Sequence, residues 1–105
     1  AMFKMMTPLS KTKVGTKFFA ALRDITGRKE DQIELEGDAT VKEFLKVLVS
    51  RYGKRFAEYV VDEKGVLRDN LILLVNGHTL DRPDFSSVRL KNGDMVVILP
   101  PIGGG

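Results

Sequence analysis

The residues best suited to chemistry lie at the end of this sequence, Pro100-Pro101-Ile102-Gly103-Gly104-Gly105. None of their side chains can react, so the group in question is the α-carboxylate of Gly105. A carboxylate is a poor electrophile until one oxygen becomes part of a leaving group. The chemistry open to such a group is activation: one carboxylate oxygen becomes part of a leaving group, and the carbonyl carbon then accepts a nucleophile. An enclosed site admits a chain without side chains most easily, so Gly103 and Gly104 are the expected threading segment. A glycine segment loses much conformational entropy when it is held, and Pro100-Pro101 limits that loss by fixing φ. On this reading the chain contributes a reactant and no general acid or base of its own.

Other candidates are weaker. His78 is the only histidine; it follows an Asn-Gly turn and is expected at the surface, because histidine chemistry needs partners that are not evident here. Asp81, Asp84 and Asp94 lack the ordered ligand spacing of a calcium loop, and turn and solvation roles are expected instead. No metal site is expected. The sequence contains no cysteine, which excludes disulfides, thiolate metal sites and a Cys nucleophile.

Length and charge narrow the class. With 105 residues, 43% hydrophobic and 30% charged, there is room for one domain with one modest core. Residues 1–15 hold Lys4, Lys11 and Lys13 and no acid, which leaves 14 of the 17 basic residues against 14 acidic ones. That balance argues against a nucleic-acid groove, which needs clustered cations. No apolar run is longer than that of Met95–Leu99, far short of a membrane span of roughly 20 residues, and the start of the sequence lacks the apolar run of a signal peptide. A cytoplasmic location is expected. Residues 1–13 are expected to be a flexible leader, with Ala1 compatible with a cloning remnant and Lys11 and Lys13 solvated. Residues 14–99 read as the domain and 100–105 as an exposed tail.

The elements that must hold this tail can be read in order. Val14–Phe19 is a strand by composition, and Ala20–Thr26 a short helical turn that Gly27 stops. Gln32–Glu36 alternates polar and apolar residues, the pattern of a strand with one wet face, and Gly37-Asp38 turns the chain. Thr40-Val41-Lys42-Glu43 is a capping box. The stripe Val41, Phe44, Leu45, Leu48 and Tyr52 then predicts an amphipathic helix ending at Gly53. Lys54–Asp69 reads as a long structured connection with a turn at Asp62–Gly65. Leu71–Val75 is continuously apolar, as expected of a strand covered on both faces. Asn76-Gly77 is a hairpin signal returning through His78-Thr79-Leu80, Arg82–Leu90 is a surface connection, and Asn92-Gly93 turns into the last strand. Phe18, Phe19, Phe44 and Phe56 are expected in the core. The order is strand, strand, helix, strand, strand, strand, with the helix on one face of the sheet.

That order, with the segments Lys17–Arg23, Val75-Asn76-Gly77, Lys91-Asn92-Gly93-Asp94 and Leu99–Gly105, resembles the ubiquitin-like sulfur carriers, and among them the small subunits of molybdopterin synthase (MoaD-type). The resemblance covers roughly Val14 to Gly105, and its most specific part is a strand running into Pro-Pro-x-x-Gly-Gly. It implies an α+β fold of the β-grasp type: a mixed sheet of about five strands, one main helix on one face and a free C-terminal tail. It implies that Gly105 is adenylated by an activating enzyme akin to that of ubiquitin, which uses the ATP, and is then converted to a thiocarboxylate by a sulfur donor protein. The thiocarboxylate would serve a pyranopterin precursor inside the large synthase subunit, with no cofactor held by the carrier. It also implies contact with partners through Leu99, Pro100, Pro101 and Ile102, and through Leu80 more weakly. Two relatives share this pattern: the thiamin-pathway carriers (ThiS-type), usually shorter, and small archaeal modifiers joined to lysines of other proteins. Gly103 stands where alanine or serine would also be familiar, and the leader is longer than a carrier needs.

Overall fold

The computed structural model describes residues 11–100. Five strands and three α-helices follow in the order β1 (Lys11–Lys17), α1 (Ala20–Thr26), β2 (Glu30–Glu36), α2 (Val41–Tyr52), α3 (Lys54–Val60), β3 (Ile72–Val75), β4 (His78–Thr79) and β5 (Met95–Leu99), with a 3-10 helix at Arg82–Ser86. The sheet order is β2-β1-β5-β3-β4. The last strand is therefore the central one, parallel to β1 and antiparallel to β3.

Local chemistry explains the long helix. The Thr40 hydroxyl accepts from the Glu43 N–H at 3.3 Å and the Glu43 carboxylate accepts from the Thr40 N–H at 2.8 Å, so the capping box forms. Such a cap is worth about 1 kcal/mol. The Thr40 amide also holds the Glu43 carboxyl below its ordinary value. Val41, Phe44, Leu45 and Leu48 are buried, in one cluster with Val14, Ile33, Leu73, Val96 and Ile98 from the sheet. Each large apolar side chain removed from water contributes roughly 1.5–3 kcal/mol. The helix thus lies on one face of the sheet, as its stripe requires.

The two Asn-Gly pairs do more than reverse the chain. Asn76 and Gly77 take φ values of 53° and 85°, the left-handed pair a tight hairpin requires. The Asn76 N–H donates to the Met95 carbonyl and its side-chain oxygen accepts from the Met95 N–H, while its amide nitrogen donates to Asp94 at 3.0 Å. Asn92 accepts from the Lys13 N–H at 2.9 Å. The first turn is thus stitched to the start of β5 and the second to β1, where the Gly93 N–H also donates to the Lys13 carbonyl. Where β1 meets β5, the register sets Gly15 beside Met95, and a Cβ on Gly15 would come within 2.9 Å of Met95 Cε.

Several expectations are corrected. The first strand begins at Lys11, three residues before Val14, because Lys11, Thr12 and Lys13 pair with Glu36, Leu35 and Glu34. Lys54–Asp69 is the structured connection its pattern indicates, with a turn in which Gly65 donates to the Asp62 carbonyl; it contains α3, which buries Phe56 and Val60, followed by a bridge between Val61 and Leu67. Arg82–Leu90 is not superficial: Phe85 and Leu90 are buried, and Arg82 donates to the carbonyls of Leu67, Arg68 and Leu71. Leu71–Val75 is not covered on both faces, since Leu71 and Leu73 are buried while Ile72 and Leu74 are half-exposed. Phe19 is not in the core; it is 46% exposed.

Candidate functional site

The site is the end of β5 and the sheet face away from α2. Along β5, Val96 and Ile98 are buried while Met95, Val97 and Leu99 are half-exposed. The register with β3 sets Leu99 opposite Ile72 and Val97 opposite Leu74. Directly opposed residues share a face, so these four and Met95 make an apolar patch on the open side. The other half of that face is charged, with Lys11, Lys13 and Lys17 opposite Glu36, Glu34 and Glu30.

Pro100, exposed, follows the patch directly. It supplies no N–H to a ladder, so pairing ends there. β1 is parallel to β5, so both strands finish at the same end of the sheet. Phe19 lies just beyond β1, which brings an exposed aromatic side chain to the end where Leu99 and Pro100 lie. Its neighbour Ala20 takes a φ of 48°, a conformation that L side chains adopt at an energetic cost. The sequence pattern did not single out Phe19 as exposed; "FFA" reads as an apolar strand end, and only its pairing geometry separates the buried Phe18 from the exposed Phe19.

Other candidate residues are distributed as follows. Leu99 and Pro100 stand at the tail exit. Leu80 lies one residue past β4, donates its N–H to Leu73 and packs against the core; β3 separates β4 from β5, so the structure does not bring Leu80 beside Leu99. Pro101, Ile102, Gly103, Gly104 and Gly105 fall outside the described residues. His78 is exposed on β4. Asp94 is occupied by turn contacts, from Asn76 and from the Lys91 N–H at 2.7 Å. Lys11 and Lys13 are exposed, and Lys11 lies 3.6 Å from Glu36.

One carboxylate is withdrawn from solvent. Asp31 on β2, its side chain 7% exposed, meets Arg51 at 2.8 Å, Arg28 at 3.2 Å and the Tyr52 hydroxyl. Burial pushes its carboxyl up, but Tyr52, the Gln32 N–H, Arg51 and Arg28 outweigh burial and leave it below its ordinary value. Burial and the neighbouring carboxylate push the Tyr52 phenol up. β1 separates this cluster from β5, and it serves to tie the end of α2 to β2.

A mixed five-stranded sheet with its carboxyl-terminal strand at the centre and its main helix on one face is the β-grasp fold of ubiquitin-like proteins, and solved structures of that class superpose on it. A family model described as the ThiS family matches residues 16–105, and this chain belongs to that family of ubiquitin-like sulfur carriers. Similar proteins include small archaeal modifier protein 3 of Haloferax volcanii, 30% identical over 85% of this chain and 95% of the relative. The molybdopterin synthase sulfur carrier subunit of Drosophila melanogaster is 32% identical over 84% of this chain and 86% of the relative. Among solved structures, small archaeal modifier protein 1 of H. volcanii is 26% identical with a TM-score of 0.75, covering 87% of this chain and 99% of that one. No helix among the described residues is long and apolar enough to cross a membrane.

Proposed function

We propose that this chain is the sulfur carrier and small subunit of a cytoplasmic molybdopterin synthase, acting through the carboxylate of Gly105. The observation that carries the reading is the junction of β5 with the tail. The central strand ends in half-exposed Leu99 and exposed Pro100, and the family match extends through Gly105.

The carboxylate attacks the α-phosphate of ATP in an activating enzyme, releasing pyrophosphate and forming the acyl adenylate. Hydrosulfide delivered by a sulfur donor protein then attacks the carbonyl carbon and displaces AMP, leaving a thiocarboxylate, which the large synthase subunit uses on a pyranopterin precursor. The carrier's part is physical. Gly103 and Gly104 enter the activating site, the diproline restrains the free tail, and the apolar patch from Leu99 to Leu74 docks on partners, burying apolar area that water otherwise covers. Incubation with the activating enzyme, ATP and a sulfur donor is expected to raise the intact mass by about 16 Da, one oxygen exchanged for sulfur at the activated carbonyl. An unchanged mass with a cognate activating enzyme overturns the proposal.

A second reading is protein modification, favoured by the likeness to small archaeal modifier proteins over 85% of the chain. There the same adenylate passes Gly105 to a lysine amine, forming an isopeptide bond and releasing AMP. Its mark is a ladder of heavier conjugates in cells that disappears when Gly105 is deleted. The thiamin-pathway role is a variant of the first reading, separated by which synthase co-purifies.

A further inference from the structure

The sheet has two edges and they are built differently. β4 is two residues long, whereas β2 runs for seven and, among the described residues, pairs only with β1. The parity of its backbone is fixed by two hydrogen bonds. Phe18 donates to the Lys29 carbonyl at 2.8 Å, one pair beyond Lys17–Glu30. Gln32 donates its N–H at 2.8 Å to the Asp31 carboxylate, not to β1. In an antiparallel pair, bonded and non-bonded positions alternate. The odd-numbered residues of β2 therefore bond to β1, and the backbones of Glu30, Gln32, Glu34 and Glu36 face outward.

A groove of ≈ 350 Å³ follows this edge, lined by Lys13, Gln32, Ile33, Glu34, and Val47 and Arg51 of α2. It has the two requirements for strand addition: outward backbone donors and acceptors, the Gln32 N–H excepted because Asp31 holds it, and a side wall where alternate side chains can settle. We infer that the β2 edge and the α2 groove together bind an extended segment of a partner protein in which basic and apolar residues alternate.

Charge selects that partner. On β2 the open-side residues Glu30, Gln32, Glu34 and Glu36 are exposed and form the outermost row, with the lysines of β1 one strand further in and Lys13 and Arg51 also lining the groove. In an added antiparallel strand, residues opposite these share their face, so basic side chains there extend the Lys-Glu ladder outward by one strand. Residues of the other parity lie toward half-buried Val47 and the aliphatic stem of Arg51, over buried Ile33, a wall that apolar β-branched side chains can cover. A second copy of this chain is disfavoured: antiparallel β2–β2 pairing about Ile33 would set Glu30 against Glu36. Acidic residues on a free edge are a recognised guard against such self-pairing.

The probe is a labelled, end-capped peptide, Lys-Val-Lys-Val-Lys-Val-Lys, against a control with Glu in place of each Lys, titrated into the full chain. The Lys peptide is expected to bind at least about tenfold more tightly, an advantage that falls with added salt. Amide shifts in the NMR spectrum are expected to concentrate on Glu30, Gln32, Glu34 and Glu36. Glu34→Pro removes an outward donor without touching a β1 bond, so it is expected to lower affinity about tenfold or more while the domain stays folded. Glu34→Lys, a surface change, is expected to weaken the Lys peptide and strengthen the Glu peptide, and it keeps the test open if the proline variant is unstable. Equal binding of the two peptides, shifts confined to the β3–β5 face, or undiminished binding to folded Glu34→Pro overturns the inference. A dimer that Glu34→Pro abolishes also overturns it, by assigning the edge to a second copy.

Discussion

The open face of the sheet is two surfaces in one plane. Over β1 and β2, every second residue except the facing pair Gly15 and Gln32 is charged, and each exposed lysine of β1 stands across from a glutamate. Over β5 and β3 the same positions hold Met95, Val97, Leu99, Ile72 and Leu74, half-exposed and apolar. Backbone pairing is common to both halves, so hydrogen bonding does not distinguish them; what differs is the free energy of wetting the side chains. The charged half is at ease in water, whereas the apolar half gains roughly 25 cal/mol for each Å² that a partner covers. The fold places the second kind of surface where the chain runs into its glycines. A carrier that must dock, react and leave needs this asymmetry, because a face apolar throughout would also bind copies of itself.

The sharpest way to break this comparison is within β5. Ile98→Ala removes a buried side chain and is expected to lower stability by about 2–5 kcal/mol in urea unfolding. Leu99→Ala, one residue on but facing the open side, should lose well under half of that. Equal losses would mean that the open face is part of the core. For function the order reverses. Leu99→Asp is expected to slow formation of the product heavier by about 16 Da by tenfold or more, about 1.4 kcal/mol of lost docking, with little change in thermal midpoint.

The Asp31 cluster gives a third test, on the charged side. Its carboxyl lies below its ordinary value in the folded state. The stability it contributes is therefore complete above the unfolded carboxylate range and is lost as pH falls through the folded value. Urea midpoints at pH 7 and pH 3 should differ more for the parent chain than for Asp31→Asn; an unaltered pH dependence would remove Asp31 from the account. The smallest effect belongs to the ladder. Lys13→Glu sets like charges opposite Glu34 and is expected to cost about 0.2–1 kcal/mol, less in high salt, with activation of Gly105 unchanged.

What could be read without coordinates was what neighbours in sequence decide. Thr40 and Glu43 are three residues apart and form their reciprocal cap; the Asn76-Gly77 turn needs only its own backbone angles. What could not be read depends on residues distant in the chain. Lys11-Thr12-Lys13 looks like a solvated leader until Glu34-Leu35-Glu36 lies beside it. Ile72 and Leu74 look like core until the helices prove to lie on one face alone. Phe85 and Leu90 are isolated apolar residues in a polar stretch, and α3 is too short for its periodicity to speak. At the site, Leu99 and Pro100 were legible from the strand and diproline, but Phe19 entered only through the parallel pairing of β1 with β5.

That parallel pairing also has a mechanical consequence. Tension on the carboxyl end is directed along β5, which is clasped by β1 on one flank and β3 on the other. Because β1 runs in the same direction, pulling its start and the end of β5 apart shears their hydrogen bonds together; it does not peel them one at a time. Resistance to such a load is set by the rate of forced unfolding and not by equilibrium stability. The domain is thus built to stay whole under a load applied between those two points.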